Sequence, residues 1–394
     1  MTKTLLPSIS TQFETIVANR RYLHQHPELS FEETKTAQFI ADQLRSYGID
    51  VETNVGGNGV IATIKGASVG KTIAFRADFD ALPIPDEKEV VYKSQNPGVS
   101  HACGHDGHTA ALLGFAYVVN QNRDLLKGNV KLIFQHAEEK PPGGAKAIIE
   151  AGALDDVDAI FGAHVASDLP VGILSTRVGP SMGSVDAFKI KLLGRGGHGA
   201  RPHQTKDSIV IGAQLITQLQ QIVSRRIDPV EPAVVTIGRF ESGNAFNVIA
   251  DTAFLEGTVR ALNESVRAQI EAEIRAILDS LKVSSYIDYE LDYLKGYPSL
   301  SNHEKEANLV RQLIVEQFGP DAYVERSITL GAEDFSYYLL KKPGAFFFVG
   351  SHNDSADTHY PHHHPKFDLD ERSLLHIGST FLAIVEHYLI KEEK

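Results

Sequence analysis

The order of the apolar runs constrains this chain more than any other feature. Over the first 183 residues, strand-like and helix-like stretches alternate. Phe13, Ile16, Val17 and Leu23, and then Ala37, Ile40, Ala41 and Leu44, recur at helical spacing, with Pro27 and Ser30 as turn and cap signals between them. Strands are expected at Val60–Ile64, Thr72–Arg76, Lys131–Phe134 and Ala159–Val165, and helices at Thr109–Asn120 and Ala145–Ala151. Between residues 184 and 292 the order changes to β-α-β-β-α-β: Val185–Leu193, Asp207–Ile227, Ala233–Phe240, Thr252–Leu262, Glu264–Leu281 and Val283–Leu291. That order is the signature of a ferredoxin-like unit. Alternation then resumes with Lys305–Phe318, Ala345–Val349 and Ser373–Ile390. The expected fold is α/β: a central mixed sheet flanked by helices (1–183 and 293–394), carrying an inserted ferredoxin-like α+β domain (184–292).

Charge and cysteine usage narrow the function. The formal net charge is −12 and no basic run occurs, which argues against a nucleic-acid partner. No stretch offers about 18 uninterrupted apolar residues, so no membrane span is expected. The N-terminus shows no export-signal pattern. One cysteine among 394 residues cannot build disulfides, and the expected location is the cytoplasm.

That cysteine is Cys103, in HACGHDGHTAALLGFAYVV (residues 101–119), where three histidines flank a glycine-containing turn before a helix. Further unusual polar residues fall near the ends of other expected strands: Asp78, the pair Glu138 and Glu139, His164, and His363 in YPHHHPKF. Open α/β sheets place their sites there. Thiolate, imidazole and carboxylate form a ligand set for divalent metal, and a helix N-terminus favours the thiolate. Five candidate ligands exceed what one tetrahedral ion needs, so a two-metal site fits the count. Adjacent residues at a strand end point to opposite sides, so one of Glu138 and Glu139 can bind metal while the other serves as general base. His24, His26, His303 and His387 read as surface or satisfied core groups. His101, His108, His136, His352, His359, His362 and His364 read as supporting or structural groups.

The motifs HQHPELSFEE, FRADFDALPI, HACGHDGHTA, Glu-Glu after FQHA, GGHGARPH, FNVIADTAFLEGTVR, GAEDFSYYL and HHHPKFDLDE occur in this order along nearly the whole chain. Together they resemble the M20 metallopeptidase and amidohydrolase family, in its aminoacylase branch of N-acyl-amino-acid amidohydrolases, hippurate hydrolases and auxin-conjugate hydrolases. The resemblance implies metal ligands at Cys103, His105, Glu139, His164 and His363, with Glu138 as general base. It implies two divalent ions per subunit, and a catalytic domain whose inserted lid dimerises. In the lid, the resemblance gives His198 an oxyanion role, often in the partner subunit's site, and has Asn247 and Arg260 bind substrate. Where the branch usually reads Gln-Pro before Ala-Glu-Glu, this chain has Gln135-His136, which bears on substrate preference.

The implied reaction is metal-dependent hydrolysis of an N-acyl-L-amino acid to a carboxylate and a free amino acid. A dipeptidase or aminopeptidase on the same site is the second reading. A carbamoyl-amino-acid hydrolase fits Cys-x-His less well. A metal-stabilised binding protein without turnover would lack the base or part of the ligand set. Zinc suits the thiolate and imidazoles, and similar enzymes also use manganese, cobalt or nickel.

Overall fold

In the computed structural model, Leu5 and residues 8–390 are described. They divide into two compact units, one of Leu5 with residues 8–179, 301–327 and 334–390 and one of residues 180–300 and 328–333.

The first unit is built on an eight-stranded mixed sheet. Its strands include Val51–Val55 (β1), Gly59–Lys65 (β2), Ser68–Asp78 (β3), Lys127–Gln135 (β4), Ala159–Pro170 (β5) and Leu174–Thr176 (β6), joined by Gly344–His352 and Tyr323–Glu325. The spatial order is β1-β2-β4-β3-β5-(344–352)-β6-(323–325). β3 runs parallel to both β4 and β5, and β5 parallel to 344–352, whereas β1, β2 and β4 pair antiparallel. Parallel strands need covering on both faces, and their apolar runs are continuous: Val130 and Leu132 to Phe134 are wholly buried, as are Phe346, Phe347 and Val349.

Helices Phe13–Gln25 (α1), Thr34–Ser46 (α2) and His105–Gln121 (α3) belong to this unit. α3 is apolar around most of its circumference and is buried from His105 to Ala116, as befits a helix inside the core. Phe115 on α3 meets Phe75 of β3 and Phe381 of the Arg372–Val385 helix, with ring centroids 4.7 and 5.6 Å away. The 372–390 stretch is long and apolar enough to cross a membrane, but its Leu374, Ile377, Phe381, Leu382 and Ile384 are packed into this core.

Three sequence expectations are corrected here. α3 begins at His105, not Thr109, because Gly104 turns the chain at φ +93° and the polar residues 105–108 form a buried first turn. β5 continues past His164 to Pro170, so that histidine lies inside a strand. The helix expected to end at Leu281 runs to Ser285, and the strand after it starts at Asp288 instead of Val283.

The second unit carries a four-stranded antiparallel sheet in the order 233–242, 252–261, 186–193, 288–295. Counted along the chain, this is the 4-1-3-2 arrangement of a ferredoxin-like unit. Strand Asp186–Leu193 alternates buried and exposed residues, the mark of a sheet with one covered face. Helices Ser208–Gln221 and Glu264–Ser285 cover it with Ile211, Leu215, Leu219, Ile270, Ile274 and Leu278. Both begin on side-chain caps: Asp207 accepts from the amides of Ile209 and Val210, and Asn263 from that of Ser265.

Candidate metal centre

The strand ends and the start of α3 bring polar groups together in the first unit. Cys103, His105 and His164 each offer a ligand atom within 4.8 Å of the others, and so do Cys103, Glu139 and His363. Cys103 belongs to both triads. A third group joins His105, Glu138 and Glu139. The five expected ligands and Glu138 therefore converge.

Two of the three imidazoles, His105 and His164, are aimed by a bond from the far nitrogen. His105 Nδ1 lies 3.0 Å from both the Asp80 carbonyl oxygen and Asp80 Oδ1. That leaves His105 Nε2 buried without a hydrogen bond, 3.8 Å from Glu139 Oε1, itself buried without one. His164 donates from Nδ1 to the carbonyl of Val165 at 2.6 Å and turns Nε2 toward Cys103 Sγ, 3.5 Å away. His363 Nε2 is 3.2 Å from Glu139 Oε1. Buried lone pairs converging without donors are what a cation satisfies, and the fixed far nitrogens are the usual support of metal-binding histidines.

The electrostatics ask for positive charge at this place. Burial disfavours an imidazolium at His105, yet Asp78, Asp80 and Glu139 outweigh it and lift its pKa to about 10. Burial, then Glu139, Glu138 and Asp78, push the Cys103 thiol well above its ordinary range. The helix N-terminus therefore does not by itself produce the expected thiolate. A divalent ion beside the sulfur would reverse that balance. Burial, reinforced by His108 and His362, holds His164 well below the ordinary imidazole range, in the neutral form a ligand needs.

Two neighbours are excluded by their own bonds. His108 Nε2 accepts the Val165 amide at 2.9 Å, so its Nδ1 carries the proton and donates to Asp78 Oδ1 at 2.6 Å. Asp78 is taken up by His108 and by Arg76, whose Nη1 is 2.6 Å from Oδ2. His362 edges against His164, with ring centroids 5.2 Å apart. His136 is buried against Phe31 and stands in none of the groups. His352 and His359 pair with Asp354 and Asp357 on an outer loop, and His364 stacks on Tyr360. His101 is buried with neither ring nitrogen hydrogen-bonded. His24 is a satisfied core group, bonded to Asp106 at 2.7 Å.

The expectation that Glu138 and Glu139 point apart is corrected. Both reach toward His105, because β4 has ended at Gln135 and Ala137 adopts φ +53°, so strand alternation no longer applies. Sequence reasoning missed the groups that hold this loop. The Ala137 amide donates to Glu33 Oε1 at 2.8 Å, and the Glu139 amide to Asp80 Oδ2 at 3.0 Å. Arg76, buried, also reaches Gln135 and Asp334 at 2.9 and 2.8 Å. Asp106, beside His105, is held by Arg20 at 2.9 Å, which ties the first turn of α3 to α1.

His198, Asn247 and Arg260 lie in the second unit and are not among these groups. His198 is exposed on a two-stranded ribbon opposite Val248. Its Nδ1 accepts the Ala200 amide at 3.1 Å, so Nε2 faces away as the remaining polar atom of the ring. The Asn247 carbonyl accepts the Gly199 amide at 2.9 Å, which places the two residues side by side. Arg260 is half-buried on the 252–261 strand; burial lowers its pKa, against the pull of Asp186.

Comparison with known proteins matches this geometry to one family. The model of peptidase family M20/M25/M40 matches residues 74–387. The N-acyl-L-amino acid amidohydrolase of Geobacillus stearothermophilus is 43% identical over 306 residues, covering 77% of this chain and 83% of that protein. Thermostable carboxypeptidase 2 of Saccharolobus solfataricus is 42% identical over 373 residues, covering 94% of each. Among solved structures, the YXEP protein of Bacillus subtilis, described as a dinuclear metal-binding peptidase of the M20 family, superposes with a TM-score of 0.82. It is 36% identical and covers 95% of this chain and 98% of its own.

Proposed function

We propose a substrate and a division of labour for this chain, which belongs to peptidase family M20/M25/M40 and is a metal-dependent amide hydrolase. The substrate is an N-acyl-L-amino acid, cleaved to a carboxylate and a free amino acid. The single observation that carries the reading is that Cys103 is common to two ligand triads, while Glu138 stands beside them. Cys103, His105 and His164 would hold one divalent ion, and Cys103, Glu139 and His363 a second. Manganese or zinc suits this set, with cobalt or nickel as further candidates. When bound, such ions supply Lewis acidity, polarising the scissile carbonyl and making water more acidic.

Glu138 takes a proton from the attacking water as the C–O bond forms. It then passes that proton to the nitrogen as the C–N bond breaks, so the amino acid leaves as an amine and the base is regenerated. We assign His198 Nε2–H and Asn247 to the developing oxyanion, and Arg260 to the substrate carboxylate, which its fork can grip with two parallel bonds. What supports the Arg260 assignment is the lack of any ion pair to it among the described residues. The domain of residues 184–292 is proposed as a lid and dimerisation domain. Strand Ala233–Ser242 is an edge of its sheet, and the adjoining helix exposes Ile209 and Val210. A cytoplasmic location is proposed from the lone free cysteine.

Glu138→Gln should lower kcat by about 10²–10⁴-fold while metal content stays at the wild-type level; wild-type turnover would remove Glu138 from the role of base. Arg260→Ala should weaken substrate binding at least about tenfold, roughly 1.4 kcal/mol. Assays of acetyl- and benzoyl-amino acids beside free dipeptides decide the substrate. Faster turnover of dipeptides would favour the peptidase reading, with the same site.

A further inference from the structure

Glu33 occupies the residue before α2, a position where a short Asp, Asn, Ser or Thr side chain would cap the helix. It makes no such cap. Its side chain is instead fully buried and turned to the loop that carries the Glu pair. Oε1 accepts the amide of Ala137 at 2.8 Å, and Oε2 accepts Asn58 Nδ2 at 3.1 Å. Ala137 is itself wholly buried and sits at φ +53°, in the left-handed region that disfavours any residue with a Cβ.

That conformation breaks the strand alternation. It lets Glu138 reach toward the same centre as Glu139 instead of away from it. A buried carboxyl oxygen accepting a buried amide leaves neither group unpaired, and removing the acceptor exposes the amide to the full cost of its desolvation. Nothing about the side chain of Ala137 favours its conformation, and the shorter of the two side-chain bonds to its preceding peptide is the one from its amide to Glu33, 2.8 Å against 3.3 Å from Gln135. Asp80 clamps the other side of the pair through the Glu139 amide, while the His136–Ala137 peptide is held on its N–H side by Glu33 and on its carbonyl side by Gln135 Nε2 at 3.3 Å.

We propose that Glu33 is a positioning residue for the hydrolysis: by locking Ala137 in the left-handed conformation, it aims Glu138 at the reacting water. The proposal rests on Glu138 being the base. It assigns Glu33 no contact with substrate or metal.

The test compares Glu33→Met, which keeps the length of the side chain but not the acceptor, with Glu33→Gln, which keeps both. Steady-state kinetics and metal content are measured on the metal-loaded protein. Glu33→Met should lower kcat about tenfold, with KM within twofold and unchanged metal content. Glu33→Gln should stay within threefold of wild type. Adding Ala137→Gly to Glu33→Met should recover at least threefold in kcat, since glycine enters the left-handed region without strain. Glu33→Leu replaces Glu33→Met if the latter does not fold. The proposal is overturned if Glu33→Met turns over like wild type while Glu138→Gln is inactive. It is equally overturned if kcat, KM and metal content fall together without recovery by Ala137→Gly, since that is a purely structural role. An active Glu138→Gln would instead overturn the base assignment, whatever Glu33 does.

Discussion

Cys103 is the residue on which both proposed ions depend. Because it enters two triads, its loss should differ from that of a terminal ligand. His164→Ala should reduce bound metal from about two ions per chain to about one, whereas Cys103→Ala should weaken both. Metal analysis after equilibrium dialysis separates these outcomes, and equal losses in the two variants would contradict a shared ligand. A second prediction concerns Glu33, whose pKa burial pushes up to about 7 from an ordinary 4.5. Between those values the folded state keeps the proton that the unfolded chain releases. Stability from this group is therefore full below pH 4.5 and falls as pH rises toward 7, by about 3 kcal/mol. Glu33→Gln should flatten the unfolding free energy over that window in urea titrations; an unchanged slope would contradict it. The thiol, imidazoles and carboxylates of the centre were legible in the sequence because their chemistry is rare and their order resembles a known family. Glu33, Asp80 and Arg76 were not, because their work is to hold main-chain amides and other side chains. Such roles depend on which segments meet in space.

The start of α3 shows why some elements were read short. Hydrophobic periodicity finds Thr109–Asn120, but His105, Asp106 and His108 are polar and yet buried. They lie inside because Arg20, Asp80 and Asp78 satisfy them, and no spacing rule reveals that. β5 was expected to end at Val165, because Ser167 and Asp168 beyond it look like the end of a strand, yet it runs to Pro170. Gly104 is the pivot of this region. At φ +93°, with an added Cβ falling 2.4 Å from Val165 Cγ2, Gly104→Ala should destabilise the fold by about 1–3 kcal/mol. It should also weaken metal binding, because Cys103 and His105 flank it. A melting temperature within a degree of wild type would show that the turn tolerates a side chain.

Across the whole molecule, the alternation of strands and helices and its interruption were the clearest signals. They are long and periodic, and both the mixed sheet and the 4-1-3-2 arrangement follow from them. Short strands such as Leu174–Thr176 and Tyr323–Glu325 went unseen, since three residues carry no period. The central claim is that residues far apart in the chain meet to hold two cations. Anomalous diffraction from crystals grown with manganese or zinc, recorded at the metal's absorption edge, tests it most directly. Two peaks should flank Cys103 Sγ, one bounded by His105 and His164 and the other by Glu139 and His363. A single peak, or metal bound away from Cys103, would contradict the account.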